Sequence, residues 1–178
     1  MNGWRRRGGA LATTFSEREA GLLRGLVGQV RDLLAARVAA NPQDELAELT
    51  GIIAGPTTAP ADRVLARLLP DFHREDTALS GGLRALHEPE LVATKDGAVG
   101  VVLATCPPRG GRLRLSEQQA QAWLTALNDV RLALGTVLGV TEDMPDELPP
   151  EDPRAPHLAV YHWLTWVQDS LIQAMAST

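Results

Sequence analysis

The chain has 178 residues, 44% of them hydrophobic and 22% charged, with a net charge of −5 and a pI near 5.3. That length fits one domain and allows roughly 70% of the unfolded surface to be buried, so no metal or disulfide staple is required. The acidic balance argues against a whole-surface polyanion binder, because phosphate neutralisation supplies most non-specific nucleic-acid affinity. The single cysteine, Cys106, cannot form an internal disulfide.

Taken along the chain, Trp4–Phe15 has Gly8-Gly9 at its centre and reads as a short extended pair or a loose arm. Three arginines, Arg5, Arg6 and Arg7, lie beside Trp4 with no apolar run after them. That pattern is not a secretory signal, and no stretch has the length of a membrane span. A cytoplasmic protein that does not enter a membrane is expected. Ser16 with Glu19 fits a capping box, in which hydroxyl and carboxylate each take a free N–H. Leu22, Leu23, Leu26, Val27, Val30, Leu33, Leu34 and Val38 follow at helical spacing, and Asn41-Pro42 ends the run.

Asp44–Leu49 reads as a helical turn, 55–60 as a loop, and Ala61–Leu69 as a short helix stopped by Pro70. Asp76–His87 reads as a helix weakened by Gly81-Gly82. Glu90–Thr105 carries mixed signals. Pro89 suits a helix N1 position, whereas Lys95-Asp96-Gly97 is a turn signal and Val99, Val101 and Val102 are β-branched. A helix is the reading taken, with a hairpin as its alternative.

Pro107-Pro108-Arg109-Gly110-Gly111 breaks the chain, and Arg112-Leu113-Arg114-Leu115 alternates as a short strand. Ser116 and Gln119 form a second capping box. Ala120, Trp123, Leu124, Leu127, Val130, Leu134, Val137 and Leu138 then mark the firmest helix, 116–138, closed by Gly139. Thr141–Pro156 holds six acidic residues and five prolines and reads as a loop. A last helix runs from about His157 to Met175, apolar nearly all round in its first half.

Phe15-Ser16-Glu17-x-x-Ala20 is echoed by Leu115-Ser116-Glu117-x-x-Ala120, and the echo runs on through Val30-Arg31 and Val130-Arg131. Any two capped amphipathic helices share such features. A duplicated unit would instead pair its two strands and pack its two helices side by side. The expected fold is mainly α with a minor β element: a helical bundle whose small sheet joins an N-terminal strand to the strand near 112–115.

Bond-making chemistry is sparse. No nucleophile motif surrounds Cys106, which reads as a small core or boundary residue. His73, His87, His157 and His162 lack metal-ligand spacing, and no glycine-rich phosphate loop lies between a strand and a helix. No cofactor, metal or catalytic residue is expected. The acidic group Asp62, Asp71, Glu75 and Asp76 reads as helix caps.

Recognition is the remaining activity, and candidate binding residues fall in three places. Asn128, Asp129 and Arg131 are polar in the middle of the firmest helix, beside Trp123, as a buried network or as part of a partner surface. Trp163 and Trp166, with Tyr161, form an aromatic band that suits either the core or a homodimer seam. Arg5, Arg6 and Arg7 suit either solvent or phosphate contact as a flexible arm.

Leu65–Asp71, Ala122–Gly135 with its Trp-Leu-x-x-Leu-Asn-Asp-x-Arg-Leu-x-Leu-Gly core, and Tyr161-x-Trp163-Leu164-Thr165-x-x-Gln168-x-x-Leu171 resemble an actinobacterial family of uncharacterised domains, the AosR-like family, which includes an oxidative-stress transcriptional regulator. The resemblance spans nearly the whole chain. It implies a stress-linked, transcription-associated role through a protein partner, such as a sigma factor or an RNA polymerase component. Direct DNA binding stays an alternative. It also implies a redox switch on an N-terminal C-x-x-x-C pair, and here this chain departs: Trp4-Arg5-Arg6-Arg7-Gly8-Gly9 contains no cysteine. A dithiol needs two sulfurs within bonding reach, so that switch does not carry over.

Overall fold

The computed structural model describes residues 1–41 and 55–177. The expected turn at Asp44–Leu49 lies outside the described residues. The N-terminal segment is a hairpin and not a loose arm: β1 (Asn2–Arg7) and β2 (Ala10–Phe15) pair antiparallel with Arg7 opposite Ala10. Gly8 and Gly9 form its two-residue turn with φ of 55° and 74°. Both values are left-handed, as a type I′ turn requires, and glycine takes them without a Cβ penalty.

Helix α1 (Glu17–Ala39) opens on Ser16, whose side chain accepts from the Glu19 N–H while the Glu19 carboxylate accepts from the Ser16 N–H. Its buried face is Ala20, Leu23, Val27, Val30 and Leu34, and Leu22 and Val38 fall at the solvent edges. Helix α2 (Arg63–Leu68) starts on Asp62, which accepts from Leu65 N–H at 2.8 Å.

Helix α3 (Thr77–Thr105) is one continuous rod of 29 residues capped by Asp76. The hairpin alternative for 90–105 is thereby excluded, and the helix predicted to end at His87 runs on. Pro89 sits inside it, not at N1. A proline there has no N–H for the carbonyl four residues back. That carbonyl belongs to Ala85, and it accepts instead from the Gly55 N–H at 2.7 Å. The turn signal at Lys95-Asp96-Gly97 is overridden by tertiary pairing, since Lys95 bonds Asp129 and Asp96 bonds Arg31.

Strand β3 (Gly111–Leu115) joins β2 antiparallel, with Leu11 opposite Leu115 and Phe15 opposite Gly111. The sheet therefore has three strands in the order β1-β2-β3, not two. Helix α4 (Glu117–Leu138) has its predicted Ser116–Gln119 capping box and ends at Gly139 in the left-handed region. Helix α5 (Ala155–Ala176) carries a proline in its first turn.

Helix α4 is the central element, in contact with α1, α2, α3 and α5. The sheet lays its inner face, Trp4, Leu11, Phe15, Leu113 and Leu115, into the same core. Trp4, Phe15 and Trp123 meet there with ring centroids 5.5–6.2 Å apart, each pair adding about 0.5–1.5 kcal/mol beyond its buried area. The two echoed units do pair their strands and bring α1 against α4. No helix among the described residues is long and apolar enough to cross a membrane.

Candidate functional site

Burial sorts the polar residues of α4. Asn128 is exposed, whereas Asp129 is 1% exposed and accepts from Lys95 Nζ of α3 at 2.6 Å. Its second oxygen, Oδ2, is buried without a hydrogen-bond partner. Burial raises the Asp129 pKa above the ordinary carboxylate value, and the Lys95 ammonium pulls part of it back. Arg131 is half-buried and turns the opposite way. Its Nε donates to Thr165 Oγ1 at 3.0 Å and its Nη1 to Gln168 Oε1 at 2.8 Å, and its guanidinium lies over the Tyr161 ring. Asp129 thus ties α4 to α3, and Arg131 ties it to α5.

Trp123 is fully buried and donates from Nε1 to Thr105 Oγ1 at 2.8 Å, so it presents no surface. Trp163 is half-buried against the core, while Trp166 is 44% exposed.

A second buried ionic group was missed by sequence reading. Arg84 of α3, 1% exposed, donates to Glu88 at 2.6 Å, to Asp71 at 2.8 Å and to the carbonyls of Leu69 and Pro70. Glu88, 2% exposed, also accepts from Arg37 of α1 at 2.7 Å. The Arg84–Glu88 spacing of four residues signals such a pair, but only once the helix is known to continue through Pro89. Of the acidic group, Asp62 and Asp76 are caps, and Asp71 is an ion-pair partner.

Cys106 ends α3 with 1% exposure, and desolvation pushes its thiol up to about 11 despite the nearby Arg24. Arg24 donates to the carbonyls of Leu103 and Cys106 and closes that helix end. At neutral pH the sulfur is a protonated, enclosed thiol, the form that attacks poorly. Among the described residues, no three His, Cys, Asp or Glu side chains gather where a metal ion would fit.

The outer face of the sheet differs from everything above. Strand alternation turns Trp4 inward and Arg5 and Arg7 outward. Arg6 points back and bonds Glu117 at 2.8 Å and the Met175 carbonyl at 2.9 Å. On β3, Leu113 and Leu115 face the core while Arg112 and Arg114 face solvent. Between the two outer strands β2 offers Ala12 and Thr14. The result is a depression of about 280 Å³, lined among the described residues by Arg5, Arg7, Arg112 and Arg114 with Asn2, Gly3, Ala12, Thr13 and Thr14. No carboxylate belongs to that lining. Arg112-Leu113-Arg114-Leu115 signalled its half of this face by alternation, and the other half was hidden inside a run of three arginines.

Residues 1–175 match a family described as a domain of unknown function, DUF2017. The chain is 43% identical over 180 residues to proteins named oxidative stress regulator AosR from Mycobacterium tuberculosis (strain H37Rv) and Mycobacterium bovis, covering 94% of this chain and 83% of the relative. A Mycobacterium leprae protein named putative oxidative stress regulator AosR is 42% identical over 90% of this chain and 80% of its own length. No solved structure matches. Family match and relatives agree from end to end, and the chain belongs to the DUF2017 family, alongside the mycobacterial AosR proteins.

Proposed function

We propose that this chain is a non-catalytic regulator of the oxidative-stress response that acts on transcription by binding another protein. The names of its mycobacterial relatives support the stress-linked regulatory part. One structural observation carries the binding part. The thiol and the fully buried carboxylates are held in packing and ion pairs, while the cationic groups of the sheet face stand open to solvent. Groups of the first kind fix a fold, and groups of the second kind meet partners. We take as the partner class what the resemblance implies: a sigma factor or another component of RNA polymerase.

The test is genetic and then biochemical. A strain of the native host lacking this gene is challenged with peroxide, and its transcripts are compared with those of the complemented strain. Loss of part of the oxidative response, restored by the gene, is expected. An unchanged transcript profile counts against a regulatory role. Affinity purification with and without oxidant that enriches no polymerase or sigma component counts against the partner class.

A homodimer is the second reading, favoured by Trp166 and Ile172 of α5, which are 44% and 47% exposed. Sedimentation at high concentration showing only monomer disposes of it.

A further inference from the structure

We infer that the outer face of the three-stranded sheet is a docking site for an extended, acidic segment of a partner protein, held by Arg5, Arg7, Arg112 and Arg114. The inference rests on the protein-binding reading above and gives that reading a surface and a chemistry.

The register sets the geometry. Arg5 and Arg114 both lie opposite Ala12, so they stand in one row across the sheet. Arg7 is opposite Ala10, and Arg112 is opposite Thr14. The four arginine Cα positions therefore occupy three levels along the strands, with Arg7 at one end, Arg5 and Arg114 in the middle and Arg112 at the other end, and the Arg114 guanidinium reaches over to donate to the Arg7 carbonyl at 3.3 Å. Alternate residues on a strand are roughly 6.6–6.8 Å apart, and the two outer strands are about 10 Å apart. A peptide laid along β2 in extended conformation repeats its side chains at the same spacing, so carboxylates at every second position meet successive levels. Ala12 and Thr14 are small enough to leave the floor open between the arginine rows. Arginine suits the task because its planar fork binds a carboxylate through two parallel N–H bonds.

The same face suits a nucleic acid less well. Its aromatic residues, Trp4 and Phe15, point into the core, so no ring is offered for base stacking. The whole chain carries −5, which opposes the approach of a long polyanion. Carboxylates also bracket the site. Glu17 follows the end of β2 and Glu117 follows the end of β3, and because those strands are antiparallel the two acids lie at opposite ends of the sheet. Glu117 is paired with Arg6, so a duplex meets like charge chiefly at the Glu17 end, whereas a segment of a few residues stays clear of it.

The test uses the full chain and a fluorescein-labelled peptide of about three Glu-Thr repeats, one Glu for each arginine level and an alternating sequence suited to strand-like recognition. The control peptide has Gln in place of Glu, and a DNA duplex of about 20 base pairs is the competing polyanion. Anisotropy at moderate salt is the readout. Saturable binding of the Glu peptide is expected, weakened at least about tenfold by the Gln replacement and by the R5E/R114E pair. Ala12→Trp, which fills the floor and keeps every arginine, is expected to weaken binding as well. Thermal unfolding of each variant confirms that it is folded, and Arg112→Glu alone serves if the double variant is not.

In the binding assay three results overturn the inference: no saturable binding up to about 1 mM, equal binding by the charge-reversed protein, or tighter binding of the duplex than of the peptide, which would assign the face to nucleic acid. Expression of R5E/R114E in the deletion strain separates this inference from the broader reading. If that variant restores the stress transcripts, the sheet face is not the site and the regulatory reading stands. If the deletion itself leaves the transcripts unchanged, the regulatory reading fails first.

Discussion

Replacing Lys95 with methionine removes the ammonium from a carboxylate that has nowhere else to turn. Asp129 is 1% exposed, one of its oxygens is bonded to Lys95 at 2.6 Å, and the other has no partner. Breaking such a pair by deleting one member costs about 3–5 kcal/mol, because a buried charge is left uncompensated. In a domain of this length each kcal/mol moves the melting temperature by about 2–4 °C, so Lys95→Met should melt roughly 6–20 °C lower at neutral pH. The pH dependence has a defined sign. Burial already raises the Asp129 pKa in the folded state, and removing Lys95 raises it further. A carboxyl with a raised folded pKa favours folding below its ordinary range, and that contribution is lost as pH rises through the folded value. The deficit of Lys95→Met is therefore largest near pH 8 and narrows towards pH 5. The double variant K95M/D129L, which removes both charges, should recover most of the loss, since apolar replacement of a buried pair is often neutral. Calorimetry of wild type, both single variants and the double variant at the two pH values is the assay. A deficit under about 1 kcal/mol at pH 8, or single-variant effects that simply add in the double variant, would refute the account of this pair as a mutually dependent buried unit.

Gly55→Ala places a Cβ 2.9 Å from Pro89 Cδ and 3.3 Å from the Ala85 carbonyl; the displaced backbone should cost about 1–3 kcal/mol, read by urea unfolding. Thr105→Val strands the buried indole N–H of Trp123 and should cost about 1–3 kcal/mol, with a change in near-ultraviolet circular dichroism. Cys106, enclosed and with its thiol pushed up to about 11, should not react with a disulfide reagent at pH 8 until the protein is unfolded. Rapid native-state labelling contradicts the enclosed site.

The sequence exposed those parts of the fold that local chemistry decides. Both capping boxes, the Gly139 terminus and most of the core stripes of α1 and α4 follow from hydrogen-bond geometry within a few residues and from a 3.6-residue period and are present in the structure, whereas Leu22, Val38 and Val137, read as part of those stripes, are exposed. What escaped depends on partners distant along the chain. Helix α3 runs through Pro89 because Gly55, 34 positions earlier, takes the orphaned carbonyl, and no local rule reports such a donor. With the helix read as ending at His87, the Arg84–Glu88 pair was invisible as well. The site was legible by halves. Alternation in Arg112-Leu113-Arg114-Leu115 separates inward from outward residues, but Arg5-Arg6-Arg7 has the same side chain at three successive positions. Only the inward turn of Trp4 fixes which arginines face out.

The sheet face carries an argument from charge. Four guanidinium groups share a small surface lined by no carboxylate among the described residues, and across β2, about 10 Å apart, Arg5 and Arg114 repel each other only weakly through a screened interaction. Folding alone is better served there by threonine, valine or mixed charges. Elsewhere among the described residues Arg6, Arg31, Arg37, Arg84, Lys95 and Arg154 each meet a carboxylate, and Arg24 and Arg131 are held by neutral oxygens. Four like charges on one solvent face, with no carboxylate among the described lining residues, contribute little to the fold and are accounted for by something outside the chain. The consequence can be measured without knowing the partner. Replacing Arg5 and Arg114 together by threonine should leave the melting temperature within a few degrees of wild type, because β propensity is gained while one exposed bond, from Arg114 to the Arg7 carbonyl at 3.3 Å, is lost. The same change should abolish acidic-peptide binding. A drop of more than about 4 °C, equivalent to a kcal/mol or two, would make these arginines structural and remove the reason for treating the face as a binding surface.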